Sequence, residues 1–593
     1  MPGLPIRPMN YFFACLLAWA SISVALAEDY SCEETGETRI WISPLSPKVG
    51  GKVKIIAVST GSPVSELALI DSQGRRMLLQ SRRRGGPPWS LITGMEGLSE
   101  GHYRVEADRN GKLAACHHLA IGGSNRQERP KEWNLATEAF YSAWIEELFG
   151  APPGENFSFP SLEPVLRNTG RNFLHNHLGL NEDNDLPLTP DCADLPYTLR
   201  AYFSWKIGLP IAFRACGRGS ARVPPHCGAP TIMTEFTQGI SYQANFRKFS
   251  RQLVNTVHSG SARTGLEDES TDLYPIPLNR EMLWPGTVYA DPYGHILVLA
   301  EWVPQMTDRP GMLLAVDAQP DNSVTRKRIW EGTLLFVNTE SAGPGFKAFR
   351  PLVRTASGEW RTLSNDELIG HTDFAPFSLE QDQLSRDNFY ARLAKLINPE
   401  GLDPKQAYEA TLNALMEQIE TRVTSVENGE AYFRKNLGSV IPMPSGAAIF
   451  QTIGPWEDYS TPSRDMRLII AINALNDLPE KIVRHPELFV MNGKSPEQAK
   501  AEIEQHHAGR IHEHSIRYTR TDDSSWELSM AEVLARKPAY EMAYNPNDCI
   551  EIRWGAKPDT EEYATCRRHA PVEQRAKMEQ YRIWFREVRR PVQ

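Results

Sequence analysis

The sequence lacks any internal run near the ~18 consecutive apolar residues of a membrane-spanning helix, which excludes a polytopic membrane protein. It also lacks a basic excess. Lys and Arg total 64 against 73 Asp and Glu, a formal charge of −9, and a general nucleic-acid binder needs the opposite footprint. There is no phosphate-binding P-loop, no glycine-rich dinucleotide fingerprint after a strand and no serine nucleophile elbow. No repeat period or low-complexity tract appears, although 44 Pro and 41 Gly are spread along the chain. With 593 residues there is material for about 3 to 4 cores.

The one long apolar stretch is at the start. Arg7 supplies a positive end, residues 11–26 are apolar, and Ala25-Leu26-Ala27 before Glu28 has the small-residue pattern of a cleavage site. Residues 1–27 are therefore expected to be a signal peptide. No membrane span remains after its removal, and the mature chain is expected in the periplasm or outside the cell. Disulfides persist there. Of 8 cysteines, Cys15 leaves with the signal and an odd number remains. Proximity and domain layout suggest Cys32–Cys116, Cys216–Cys227 and Cys549–Cys566, with Cys192 left unpaired.

The mature chain reads as multidomain α+β. Residues 28–122 hold short, turn-bounded strands at 53–58, 66–70 and 102–107, with turn signals at Asp71-Ser72-Gln73-Gly74 and Asp108-Arg109-Asn110-Gly111. This pattern predicts an N-terminal β-sandwich, immunoglobulin-like in type. Gly122-Gly123-Ser124-Asn125 reads as a linker. The Arg82–Arg84 run falls in a Gly/Pro loop and reads as a solvated face, with an anionic polymer as the other option. Residues 130–345 mix helix and strand. Helices are expected at 138–149 and 192–207, and strands at 211–214, 287–290, 295–302 and 312–316. Residues 346–593 read as mainly helical, with helices at 385–397, 404–433, 496–507 and 571–588 and a hairpin around Asp522-Asp523. The polar-aromatic segment 455–465 reads as an ordered inter-helix loop, with a binding loop as the other option.

The chemistry concentrates around Cys192. An unpaired cysteine at a helix N-terminus feels the positive end of the helix dipole, which favours the thiolate and nucleophilic attack. His295 opens a strand after a Gly turn and is the candidate general base. Asp317 ends the next strand. Antiparallel pairing of the two strands would let it orient His295. The backbone N–H of Cys192 is the natural first oxyanion donor, and Asp194 reads as a helix cap. Other clusters carry less. His506-His507 and His512-x-His514 lack a fixed four-ligand set for zinc, and His226-Cys227 beside Cys216 reads as disulfide context. The acidic loop 181–185 lacks the glycine and terminal Glu of a calcium loop. No metal and no cofactor are expected.

This order of residues resembles the papain-like superfamily, most closely its transglutaminase-like branch. The matching text is Asp191-Cys192 before a helix, Gly208-Leu209-Pro210 before a strand, Gly294-His295 opening a strand and Asp317 ending the next. Trp284-Pro285-Gly286-Thr287-Val288 ahead of Gly294-His295 also looks like cell-wall endopeptidases of the NlpC type. The resemblance covers residues 185–325. It implies a papain-like α+β core and a Cys192–His295–Asp317 triad. The activity expected is that of an exported cysteine hydrolase or acyltransferase, cleaving or exchanging an amide bond in a peptide, protein or cell-wall peptide. The alternative is a catalytically inactive papain-like scaffold that binds peptide or glycan in the envelope.

Overall fold

The structure is a computed structural model. It describes Cys32, residues 36–122 and residues 130–591, apart from 156, 185, 187, 221, 234–241, 320, 338, 340, 341 and 451–453. The expected signal peptide with Cys15, most of the 122–125 linker and Asp185 lie outside the described residues.

Near the N-terminus, alternating apolar residues build two four-stranded antiparallel sheets. One runs in the order Thr38–Ser43, Val53–Ser59, Trp89–Met95, Arg82–Arg84. The other runs Arg76–Leu79, Glu66–Ile70, Gly101–Arg109, Lys112–Ile121. Ile40, Ile42, Val53, Ile55, Leu67, Leu69, Val105 and Leu119 fill the space they share. Asn110 and Gly111 both take positive φ, 52° and 76°, which closes the tight hairpin signalled by the Asp-Arg-Asn-Gly text. A disulfide joins Cys32 to Cys116.

The Arg82–Arg84 run differs from expectation. It is an edge strand, and its side chains join this unit to the next: Arg82 pairs with Glu147, and Arg84 reaches Glu147 at 3.4 Å and Glu301 at 3.3 Å. Burial of Glu147 gives these cations a fixed partner that a solvated loop would not offer.

The central unit is a seven-stranded antiparallel sheet. Its order is Leu273–Pro275, Gly345–Phe349, Val288–Ala290, Ile296–Val303, Met312–Ala318, Val324–Arg328, Ser158–Phe159. The sheet continues past residue 345 through Gly345–Phe349. The helix Arg386–Ile397 completes the same core, with Phe389 stacked on Phe336 at 3.8 Å. The helices Leu135–Phe149 and Asp194–Ile207 meet through Trp144 and Tyr202, stacked at 5.7 Å. The aromatic spacing of 140–149 is thus core packing.

The acidic loop around 182 is also structural. Lys206, fully buried on the second helix, places its ammonium 2.6 Å from Glu182 and 2.8 Å from Asp183, so a lysine fills the place considered for calcium. Replacing Lys206 with methionine leaves two buried carboxylates without their cation. The expected loss is about 3–5 kcal/mol, read as an earlier urea midpoint of the central unit.

The C-terminal region has its own core, built on the helices Pro404–Lys435, Pro462–Arg484 and Pro496–Arg510 and the hairpin Ser515–Thr519 with Ser525–Ser529. A disulfide closes Cys549 to Cys566. The 455–465 segment is mostly helical, not a loop. Pro455 opens the helix Pro455–Tyr459, and Pro462 opens the helix that runs to Arg484. Proline suits the first helical turn, where no N–H is needed and φ is already set. His506 and His507, weighed as zinc ligands, bond instead to Glu409 at 2.7 Å and the Tyr408 hydroxyl at 3.1 Å. Among the described residues, no helix is long and apolar enough to cross a membrane.

Candidate active site

Cys192 is the free cysteine among the described residues and lies just ahead of the helix Asp194–Ile207. The carboxylate that accepts from the N–H groups at the start of that helix is Asp191, not Asp194. The Asp191 Oδ1 accepts hydrogen bonds from the N–H groups of Ala193 at 2.8 Å and Asp194 at 3.0 Å. Cys192 keeps its own N–H without an intramolecular acceptor among the described residues. Asp194 sits in the first turn, and its buried Oδ1 has no hydrogen-bond partner there. Burial first, and Asp191 second, push its carboxyl up to about 8. At the other end, Gly208 takes φ 91° and donates to Ser204 at 2.7 Å, which stops the helix before Leu209-Pro210.

His295 is aimed by the turn Asp291-Pro292-Tyr293-Gly294. The Asp291 Oδ1 accepts from the N–H of Tyr293 at 2.7 Å and of His295 at 3.1 Å. Gly294 takes φ 107°, a conformation that calls for glycine, and a Cβ there would also crowd Ser259 Oγ at 3.2 Å. The strand Ile296–Val303 then pairs antiparallel with Met312–Ala318, with Val298 opposite Val316. That register brings His295 Nε2 to 2.9 Å from Asp317 Oδ2. Cys192 Sγ lies 4.0 Å from the Gly294 carbonyl and is approached by the Ile296 N–H. The thiol therefore faces the backbone on both sides of His295.

Asp317 is fully buried and fully used. Gln319 donates to it at 2.7 Å, Thr325 at 2.8 Å, and Lys327 pairs with it. Burial alone would raise its carboxyl, but Lys327 and His295 hold it far below the usual carboxylate range. Burial and then Arg467 lower His295 below its ordinary value, against the pull of Asp317.

The thiol departs from expectation. Burial first, then Asp191, push Cys192 up to about 12, with Asp317 and Asp291 adding to the effect. The helix dipole does not win, because Asp191 already occupies the helix end and its negative charge sits beside the sulfur. Both shifts favour free thiol and neutral imidazole over a thiolate–imidazolium pair.

The C-terminal region reaches this site, which sequence reasoning missed. Arg467 donates to Asp291 Oδ2 at 3.2 Å. Arg590, 297 residues beyond Tyr293, donates to its carbonyl at 2.9 Å and to Ser463 Oγ at 2.9 Å. Arg464 reaches Gln319 Oε1 at 3.4 Å. From the segment 217–283, which separates the cysteine helix and its following strand from the histidine turn, Arg263 donates to the Pro292 carbonyl at 3.1 Å. The Cys216–Cys227 disulfide belongs to the same wall, through a 2.9 Å contact of His258 Nε2 with the Cys216 carbonyl. Around Cys192 the character is acidic. Burial, then Asp458 and Asp191, push Glu457 up to about 7. The hairpin proximity of His295 and Asp317 is visible in the chain, whereas no local signal marks Arg464, Arg467 or Arg590 as neighbours of the site. No protein-family profile matches this chain, and no curated protein or solved structure matches it.

Proposed function

We propose that the protein is an exported cysteine hydrolase or acyltransferase acting on an amide bond in a peptide or protein, cell-wall peptides included. The observation that carries this reading is the 2.9 Å contact of His295 Nε2 with a buried Asp317, set beside an unpaired cysteine at a helix N-terminus. An N-terminal cysteine helix against an antiparallel sheet also supports a papain-like core of the transglutaminase-like kind. The three disulfides fit an oxidising compartment, periplasmic or secreted. The paired four-stranded sheets support an immunoglobulin-like sandwich as a targeting module.

In this mechanism Asp317 accepts from Nε2–H, which leaves Nδ1 of the neutral ring as the base. Nδ1 takes the Cys192 proton as Sγ bonds to the amide carbon, and the Cys192 N–H stabilises the oxyanion. Collapse breaks the C–N bond. His295 returns the proton to the departing amine and a thioester remains. Water resolves it by hydrolysis, or a second amine by exchange.

A neutral thiol beside neutral imidazole gives a distinctive pH behaviour. Turnover rises with pH as the imidazolium of His295 loses its proton below about 6.5, then stays level through neutrality. Iodoacetamide labelling of Cys192 in the free protein stays slow up to about pH 8, because the thiolate is scarce. Both are measured on one preparation, with labelled sites mapped by mass spectrometry and peptide amides supplied with and without a fluorescent primary amine. Rapid labelling below pH 7 would sink the neutral pair.

The raised thiol also favours the second reading, a papain-like scaffold that binds peptide or glycan without reacting. Absence of both turnover and a trapped Cys192 thioester would select that reading.

A further inference from the structure

The His295 side of the site is crowded with cations. Arg464 and Arg467 stand one turn apart on the helix Pro462–Arg484, and Arg590, Arg263 and Lys327 converge beside them. The carboxylates that face them are already committed. Asp291 serves its own turn and Arg467, while Asp317 serves His295, Lys327, Gln319 and Thr325. Asp465 is spent on Arg422 through bonds of 2.8 and 3.1 Å, and Asp321 accepts from Ser323 without pairing with Arg464. Arg464 is left with one long contact to the neutral Gln319 and no ion pair among the described residues. It is also partly exposed. Asp317 and Asp321 attract Arg464 from beyond ion-pair distance, and Arg467 repels it, so its guanidinium keeps donors free for a further anion.

We propose that Arg464 is a specificity-determining residue that binds a carboxylate on the amine side of the scissile bond. This rests on the cysteine-hydrolase reading. The side follows from the chemistry, since His295 hands its proton to the departing amine and the guanidinium stands on the His295 side, linked to Asp317 through Gln319. A planar fork with free donors suits a carboxylate, from an acidic side chain or a chain terminus. Asp191, beside the Cys192 sulfur, gives the cysteine side the opposite character and disfavours an anion on the acyl side.

The test uses binding, so it does not depend on turnover. The full protein carrying Cys192→Ser is offered two pools of acetylated hexapeptide amides, one with a central Glu and one with Gln there, and retained peptides are counted by mass spectrometry. A third pool ends in a free carboxylate. We expect the acidic pools to be retained at least about tenfold better. The preference disappears in Arg464→Gln and partly returns in Arg464→Lys, both checked for unchanged melting. Equal retention of acidic and neutral pools, or a preference that survives Arg464→Gln, overturns the proposal. Digestion by the unsubstituted protein then places the carboxylate, and finding it on the acyl fragment would also overturn the assignment. A preference in binding without Cys192-dependent turnover keeps the Arg464 site and removes the hydrolase reading, so the two fail separately.

Discussion

Turnover of peptide amides is expected to fall by roughly 10⁴- to 10⁶-fold when Cys192 is replaced by serine, with the fold intact. The loss is chemical. An alcohol holds its proton far more tightly than a thiol, and His295 is a weak base because burial and Arg467 lower its proton affinity. The structural cost is small. The Cys192 residue keeps some exposure, and its sulfur meets only backbone, the Gly294 carbonyl at 4.0 Å and the Ile296 N–H, which a serine hydroxyl also suits. Stability should stay within about 1 kcal/mol of the parent. The measurement is paired: initial rates on peptide amides, and a thermal melt. A serine variant that retains a tenth of the parent rate would remove Cys192 from the chemistry.

Asp317→Asn is expected to lower turnover by roughly 10³- to 10⁴-fold, because an amide no longer fixes the tautomer that presents Nδ1 to the thiol. It should also cost stability, which Cys192→Ser does not. Lys327 loses its carboxylate, and the Gln319 and Thr325 donors face a neutral acceptor. Lys327 is partly exposed, which moderates the cost to roughly 2–4 kcal/mol. The sign with pH follows from the depressed carboxyl. Its contribution is fully present above the unfolded value near 3.8 and is lost as pH falls toward the folded value. The gap between parent and variant is thus constant from about pH 5 upward and closes in acid. Denaturant melts across pH 3 to 8 check this, and a gap that widens in acid would contradict it.

The two variants together separate roles. Cys192 carries the bond-forming atom and little of the fold. Asp317 serves the ring of His295 and the sheet at once. A binding protein without chemistry would show only the stability loss of Asp317→Asn.

Much of this was legible in the chain because it is local. The Asn110-Gly111 turn, the Gly208 stop and the Gly294 turn are set by residues that tolerate positive φ. His295 and Asp317 meet because successive strands pair as an antiparallel hairpin, so their contact needs only short-range register. The cysteine pairs followed proximity, and all three are present.

What the tertiary structure decided is the electrostatics. Whether Cys192 is thiol or thiolate depends on its burial and on Asp191 taking the helix end, neither of which the spacing of Cys192 and its helix reveals. The Arg82–Arg84 run and the acidic loop at 182 read as surface features, yet each meets a partner from a remote element, Glu147 in one case and Lys206 in the other. Nothing in the sequence of residues 455–591 marks Arg467 or Arg590 as part of the site, because they acquire a role only on reaching a turn 176 or 297 residues away. Local backbone preference is written in neighbouring residues. Charge placement is the sum of contacts between segments that only the folded chain brings together.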